Sequence, residues 1–79
     1  MPSVTLLGKP GCHLCDEARA VVLGVLAQRP DVPFEEKSIL DDPELFDAYA
    51  EEIPVVLIDG RVHTIWRVDE DRLRAALGV

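Results

Sequence analysis

The sequence predicts an α/β domain in the order β-α-β-α-β-β-α, with three helices packed on a mixed four-stranded sheet. Three observations carry that expectation. Short β-prone runs at Val4–Leu7, Phe34–Ile39 and Val55–Ile58 alternate with segments whose apolar residues recur at helical spacing. Asp59-Gly60, the strongest short hairpin signal, joins the third run to Val62–Trp66. Lys9-Pro10-Gly11-Cys12-His13-Leu14-Cys15 sets both cysteines between the first strand and the first helix.

Val4, Thr5, Leu6 and Leu7 form a strand stopped by Gly8, Pro10 and Gly11. From there, Leu14, Ala18, Val21, Val22, Val25 and Leu26 make one inward helical stripe, with Asp16, Glu17, Arg19, Gln28 and Arg29 on the other face. Asp16 and Glu17 suit the positive end of the helix dipole, Arg29 suits the last turn, and Pro30 ends the helix. Gly24 costs about 1 kcal/mol relative to alanine in a helix interior, which close packing on the sheet would offset. Beyond the Pro30–Pro33 turn, the many charges of Phe34–Ile39 suit a sheet edge. Asp41-Asp42-Pro43-Glu44 starts a short helix with an aspartate cap and a first-turn proline. Its inner face is Leu45, Ala48 and Tyr49, and it should stop near Glu52, because Ile53 precedes Pro54. Asp69 caps the last helix, which turns Leu73, Ala76 and Leu77 inward and ends at Gly78. The first two strands, joined by a crossover helix, should lie parallel with a right-handed connection; the late hairpin is antiparallel in the same sheet.

At 79 residues the chain makes one domain, residues 1–79, without linker or repeat, and can bury roughly 60% of its unfolded surface. An apolar fraction of 48% beside 29% charged residues argues against disorder. The net charge of −7 argues against nucleic acid and anionic membranes as partners. No apolar run approaches the ~20 residues that span a bilayer, and the N-terminus lacks a basic-then-apolar secretory pattern. A cytoplasmic monomer is expected. In a reducing compartment, cysteines this close are redox-active or metal-binding before they are structural, since a bridge between them closes a trivial loop.

Residues i and i+3 on a helix stack on consecutive turns about 5–6 Å apart, within reach of a disulfide. The attacking species in exchange chemistry is the thiolate, and a free cysteine has a pKa of about 8.5. Cys12, at the helix start, meets unpaired N–H groups and the dipole, and Lys9 can add a positive charge from the loop. Cys15, one turn inward, should be less exposed. Cys12 then attacks a substrate disulfide and Cys15 resolves the mixed disulfide. His13 reads either as a solvent-facing residue or as an imidazolium beside the thiolate, which Asp16 would oppose. Two thiols with His13 and a distant His63 make no complete zinc site, so no metal is assigned; two buried thiols acting as small hydrophobes are the plain alternative.

Lys9 to Asp16, together with Ile53-Pro54-Val55 and Asp59-Gly60, resembles glutaredoxins and their relatives in the thioredoxin superfamily, over nearly the whole chain. It is most similar to the small bacterial glutaredoxin-like proteins with Cys-x-Leu-Cys. The resemblance implies a thioredoxin-like, glutaredoxin-type fold and a thiol-disulfide oxidoreductase acting on a protein or small-thiol disulfide, recharged by a thiol reductant. It implies Cys12 as nucleophile, Cys15 as resolving thiol, and Pro54 as a cis-proline facing the pair. The Ile53 backbone would pair with an extended substrate. No cofactor is implied beyond the redox-active pair itself. The chain has His13-Leu14 where glutaredoxins carry an aromatic residue, often in Cys-Pro-Tyr-Cys. It has Ile65-Trp66-Arg67-Val68-Asp69 where they hold glutathione with a Gly-Gly pair and an acidic helix start. Trp66 and Arg67 would crowd that surface, although Arg67 offers a different carboxylate contact and Asp69 matches the acidic position. The expectation is weak or absent use of glutathione. The rival from another class is a non-catalytic binding module or an iron–sulfur-carrying scaffold on the same fold.

Overall fold

The most apolar strands take the centre of the sheet and the charged ones its edges. In the computed structural model, which describes residues 2–79, β1 (Val4–Gly8) pairs in parallel with β2 (Phe34–Ser38) and antiparallel with β3 (Val55–Ile58). β3 pairs antiparallel with β4 (Arg61–Ile65), giving the order β2-β1-β3-β4. Three helices, α1 (His13–Leu26), α2 (Pro43–Tyr49) and α3 (Glu70–Leu77), complete the expected β-α-β-α-β-β-α sequence. In the β3–β4 turn, Asp59 and Gly60 have φ of 54° and 81°, the double positive φ that such tight hairpins require. Among the described residues no helix is long and apolar enough to cross a membrane.

Side chains alternate across the two central strands, so each strand feeds two cores. Val4, Leu6 and Val56 meet Ala18, Val22, Val25 and Leu26 of α1 and Leu73 and Leu77 of α3. On the other face Leu7 and Val55 meet Ile39 and Ile53, with Leu45 and Tyr49 of α2 packed against them. Each fully buried aliphatic side chain contributes about 1.5–3 kcal/mol, so the larger α1–α3 layer carries most of the apolar stabilisation. Cys15 is the exception in this division: it lies on α1 but belongs to the α2-side cluster, set against Gly8 at the end of β1.

Several local expectations are corrected. The inward stripe of α1 runs through Cys15, Ala18, Val22, Val25 and Leu26, and Leu14 is 37% exposed because its neighbour Cys15 takes the inward direction. α1 ends at Leu26 and not at Pro30. Gln28 and Arg29 donate backbone bonds to Val25 and Leu26 (3.1 and 2.9 Å), and this tighter winding delivers Val32 into the core. Arg29 therefore serves no last helical turn; it pairs with Asp31 at 3.1 Å and donates to the Leu77 carbonyl at the end of α3. Gly24 faces open space and not the sheet.

β2 stops at Ser38, and Ile39 is buried from a short 3-10 turn, Ile39–Asp41. Asp42 caps α2 as expected, accepting from the N–H groups of Glu44 and Leu45 at 2.9 and 3.4 Å. That helix ends at Tyr49 and not near Glu52, because Glu52 and Ile53 both donate to the Tyr49 carbonyl, at 2.9 and 3.1 Å, in a closing turn. Ala48 and Ala76 are exposed, and Leu45–Tyr49 and Leu73–Leu77 form the inner faces at i, i+4. β4 begins at Arg61 and releases the chain at Trp66, whose φ is 68°.

Candidate active site

Gly11, with φ of 77°, turns the loop so that Cys12 arrives as the N-cap of α1 in an extended conformation. The Cys12 Sγ accepts a hydrogen bond from the Cys15 N–H at 3.2 Å, while the Cys12 carbonyl accepts from the Asp16 N–H at 3.1 Å. A sulfur thus fills the role that a serine or aspartate oxygen has at most helix starts. The Cys15 N–H, which has no partner inside the helix, and the positive end of the dipole both face that sulfur, the geometry in which a helix end solvates an anion. Cys12 is partly exposed and Cys15 is 1% exposed, and both are free thiols.

Burial first, and the contact with Cys12 second, push the Cys15 thiol up to about 11; a backbone hydrogen bond from Lys9 pulls it the other way. The pair is therefore asymmetric, with an accessible outer sulfur and an inner one kept as a neutral thiol. Gly8, at the end of β1, makes room for the inner one: a Cβ there would lie 2.9 Å from the Cys15 Sγ and 3.2 Å from its Cβ. In the sequence Gly8 reads only as a strand breaker, and its contact with a residue seven positions on has no signal in spacing or composition.

The other expected residues divide. Lys9 lines an open cleft of about 450 Å³ with Asp16, Arg19, Glu36 and Asp41. Arg19 bridges Asp16 (2.9 Å) and both oxygens of Glu36 (2.7 and 2.5 Å), which holds the Glu36 carboxyl below its usual range. His13 directs Nε2 to Glu17 at 3.3 Å from an 86% exposed side chain, in line with its reading as a solvent-facing residue.

The Ile53–Pro54 peptide is cis. Ile53 shares its apolar cluster with Cys15, and Cys12 packs against that same cluster, which brings the segment beside the cysteine pair. The Ile53 N–H donates to the Tyr49 carbonyl, and among the described residues no backbone N–H is directed to the Ile53 carbonyl. Trp66 donates its backbone N–H to the Pro54 carbonyl at 2.8 Å and its indole N–H to the Glu51 carbonyl at 3.0 Å. With Arg67 and Val68 it faces Leu14, Ala18 and Val21 across a groove of about 160 Å³. Asp69 is engaged as the cap of α3, accepting from the Arg72 N–H at 3.1 Å. Among the described residues no three His, Cys, Asp or Glu side chains gather as a metal site, and His63 lies on β4, where burial and then Arg72 hold its pKa down.

Comparison with known proteins agrees with this arrangement. A family model described as a glutaredoxin-like domain (DUF836) matches residues 3–78. An uncharacterized protein of Mycobacterium tuberculosis is 32% identical over 78 residues, covering 94% of this chain and 80% of that protein. The X-ray structure of the protein XcR50 from X. campestris is 37% identical, covers 95% of each chain and superposes with a TM-score of 0.70. Fasciola hepatica thioredoxin, at 19% identity and a TM-score of 0.68 over 98% of this chain and 78% of its own, shares the fold.

Proposed function

The chain belongs to the glutaredoxin-like (DUF836) family of the thioredoxin superfamily, and from that premise we propose that it is a dithiol-disulfide oxidoreductase. The observation that carries the reading is the Cys12 Sγ at the N-cap of α1, 3.2 Å from the Cys15 N–H, with a buried second thiol one turn inward.

The cycle balances on these two sulfurs. The Cys12 thiolate attacks one sulfur of a substrate disulfide; the Cys12–substrate S–S bond forms, the substrate S–S bond breaks, and one substrate thiolate leaves. Cys15 then gives up its proton, to the departing thiolate or to water, and attacks the Cys12 Sγ. The Cys12–Cys15 bond forms and the second substrate thiolate leaves, so two electrons have passed from the dithiol to the substrate. An external thiol or dithiol reductant restores the pair. The high pKa of Cys15 keeps it protonated while Cys12 reacts, which prevents both sulfurs from being anionic at once.

The substrate class we favour is a protein disulfide. Asp69 is already engaged as a helix cap, and Trp66 and Arg67 stand where a glycine pair would leave room for glutathione. Turnover of a peptide disulfide, driven by dithiothreitol and followed in wild type, Cys12→Ser and Cys15→Ser, tests the reading. Cys12→Ser should lose at least ~100-fold, while Cys15→Ser should keep the first attack and lose the second. Equal rates in wild type and Cys12→Ser would leave a binding module without redox chemistry. Weak or absent turnover is expected when glutathione replaces dithiothreitol.

A further inference from the structure

We propose that Trp66 is a positioning residue that holds the Ile53–Pro54 segment for the backbone of a peptide substrate; the proposal rests on the redox reading above. Segment 51–54 is gripped from two sides. From inside, the N–H groups of Glu52 and Ile53 both go to the Tyr49 carbonyl, at 2.9 and 3.1 Å. From outside, Trp66 alone takes the carbonyls at both ends, Pro54 through its backbone N–H (2.8 Å) and Glu51 through its indole N–H (3.0 Å). These bonds leave the Glu52 and Ile53 carbonyls between them, and of the two residues it is Ile53 that belongs to the apolar cluster of Cys15, against which Cys12 packs.

Trp66 adopts a φ of 68°, a region that bulky residues rarely enter and in which backbone is held by its surroundings. The next turn supplies that hold: the Arg67 N–H donates to the Ile65 carbonyl at 2.8 Å, and the Thr64 hydroxyl donates to the Arg67 carbonyl at 3.0 Å. Trp66 is 55% exposed and belongs to neither core cluster, and its indole N–H is committed to the Glu51 carbonyl. Across the groove it faces Leu14, the residue between His13 and Cys15. Trp66 thus lines a groove shared with the cysteine turn while its N–H groups hold the segment that presents the Ile53 carbonyl. A substrate that pairs its backbone with that carbonyl depends on Trp66; a small disulfide without a backbone depends on it less.

The test compares Trp66→Phe, which keeps a ring and loses the indole N–H, with wild type on two disulfides: a disulfide-linked cysteine peptide and dithiodiethanol. Loss of one hydrogen bond predicts that the ratio of kcat/KM for the peptide to that for dithiodiethanol falls about 3- to 10-fold, through KM more than kcat. An unchanged ratio, whether both rates hold or both fall together, overturns the proposal. If Trp66→Phe does not fold, the single tryptophan of the wild-type ring, read in a Cys15→Ser background, decides. Its emission should shift more when Cys12 carries the peptide than when it carries mercaptoethanol, and equal spectra overturn the proposal. Wild type inactive on both disulfides would sink the redox reading and this inference with it, whereas active wild type with an unchanged ratio sinks this inference alone.

Discussion

Gly8 limits what can stand behind the inner thiol. An alanine there puts its Cβ 2.9 Å from the Cys15 Sγ, and both residues are buried, so one of them must move. Gly8→Ala is expected to cost about 1–3 kcal/mol in urea unfolding and to slow closure of the Cys12–Cys15 disulfide. Cys15 itself makes the reduced protein sensitive to alkali. Its folded pKa is raised from 9.0 to about 11, so the native state keeps a proton that the unfolded chain releases first. Stability from this group is complete below pH 9 and is lost as the pH rises through about 11, a change on the order of 2 kcal/mol. Unfolding curves between pH 8 and 11 should show this loss for the reduced protein and not for the disulfide form; parallel curves would refute it. At this scale the sequence displayed Cys12 and Cys15 clearly, because an i, i+3 pair at a helix start has few other uses. It concealed Gly8 and the indole bond of Trp66, since both are contacts between residues that only the fold brings together.

Among the elements, α1 matters most, because Cys12 is its N-cap and its first turn buries Cys15. Its interior carries an unneeded weakness at Gly24, where nothing lies within 4 Å of a built Cβ. Gly24→Ala is expected to stabilise the protein by about 0.5–1 kcal/mol without altering disulfide exchange, measured by thermal unfolding beside the peptide assay. Destabilisation by that substitution would mean that the helix packs there after all. Capping signals were legible in the sequence: Asp42, Asp69 and Gly78 all act where their residue types suggest. Periodicity was less exact. It marks a stripe about a third of the helix circumference wide, so it admitted Leu14, Ala48 and Ala76, which solvent reaches, and passed over Ala50, whose inward position depends on how α2 closes. Helix ends also escaped, because the tight turns after Leu26 and Tyr49 serve the burial of Val32 and the anchoring of Ile53, which are tertiary demands.

For the whole molecule, element order and sheet pairing followed from local pattern: apolar Val4–Leu7 and Val55–Ile58 at the centre, charged Phe34–Ser38 at an edge, and Asp59-Gly60 at the hairpin. The two-sided core then places the site, because Cys15 belongs to the α2-side cluster that also contains Ile53, and Cys12 packs against it. The central claim is that Cys12 is the attacking sulfur and Cys15 the one that resolves. Mass spectrometry of the Cys15→Ser protein after mixing with a cysteine-peptide disulfide tests it most directly. One stable peptide adduct, located on Cys12 and released by dithiothreitol, is expected, whereas wild type passes on to the internal disulfide. Absence of an adduct on Cys15→Ser, or an equal adduct on Cys12→Ser, would contradict it.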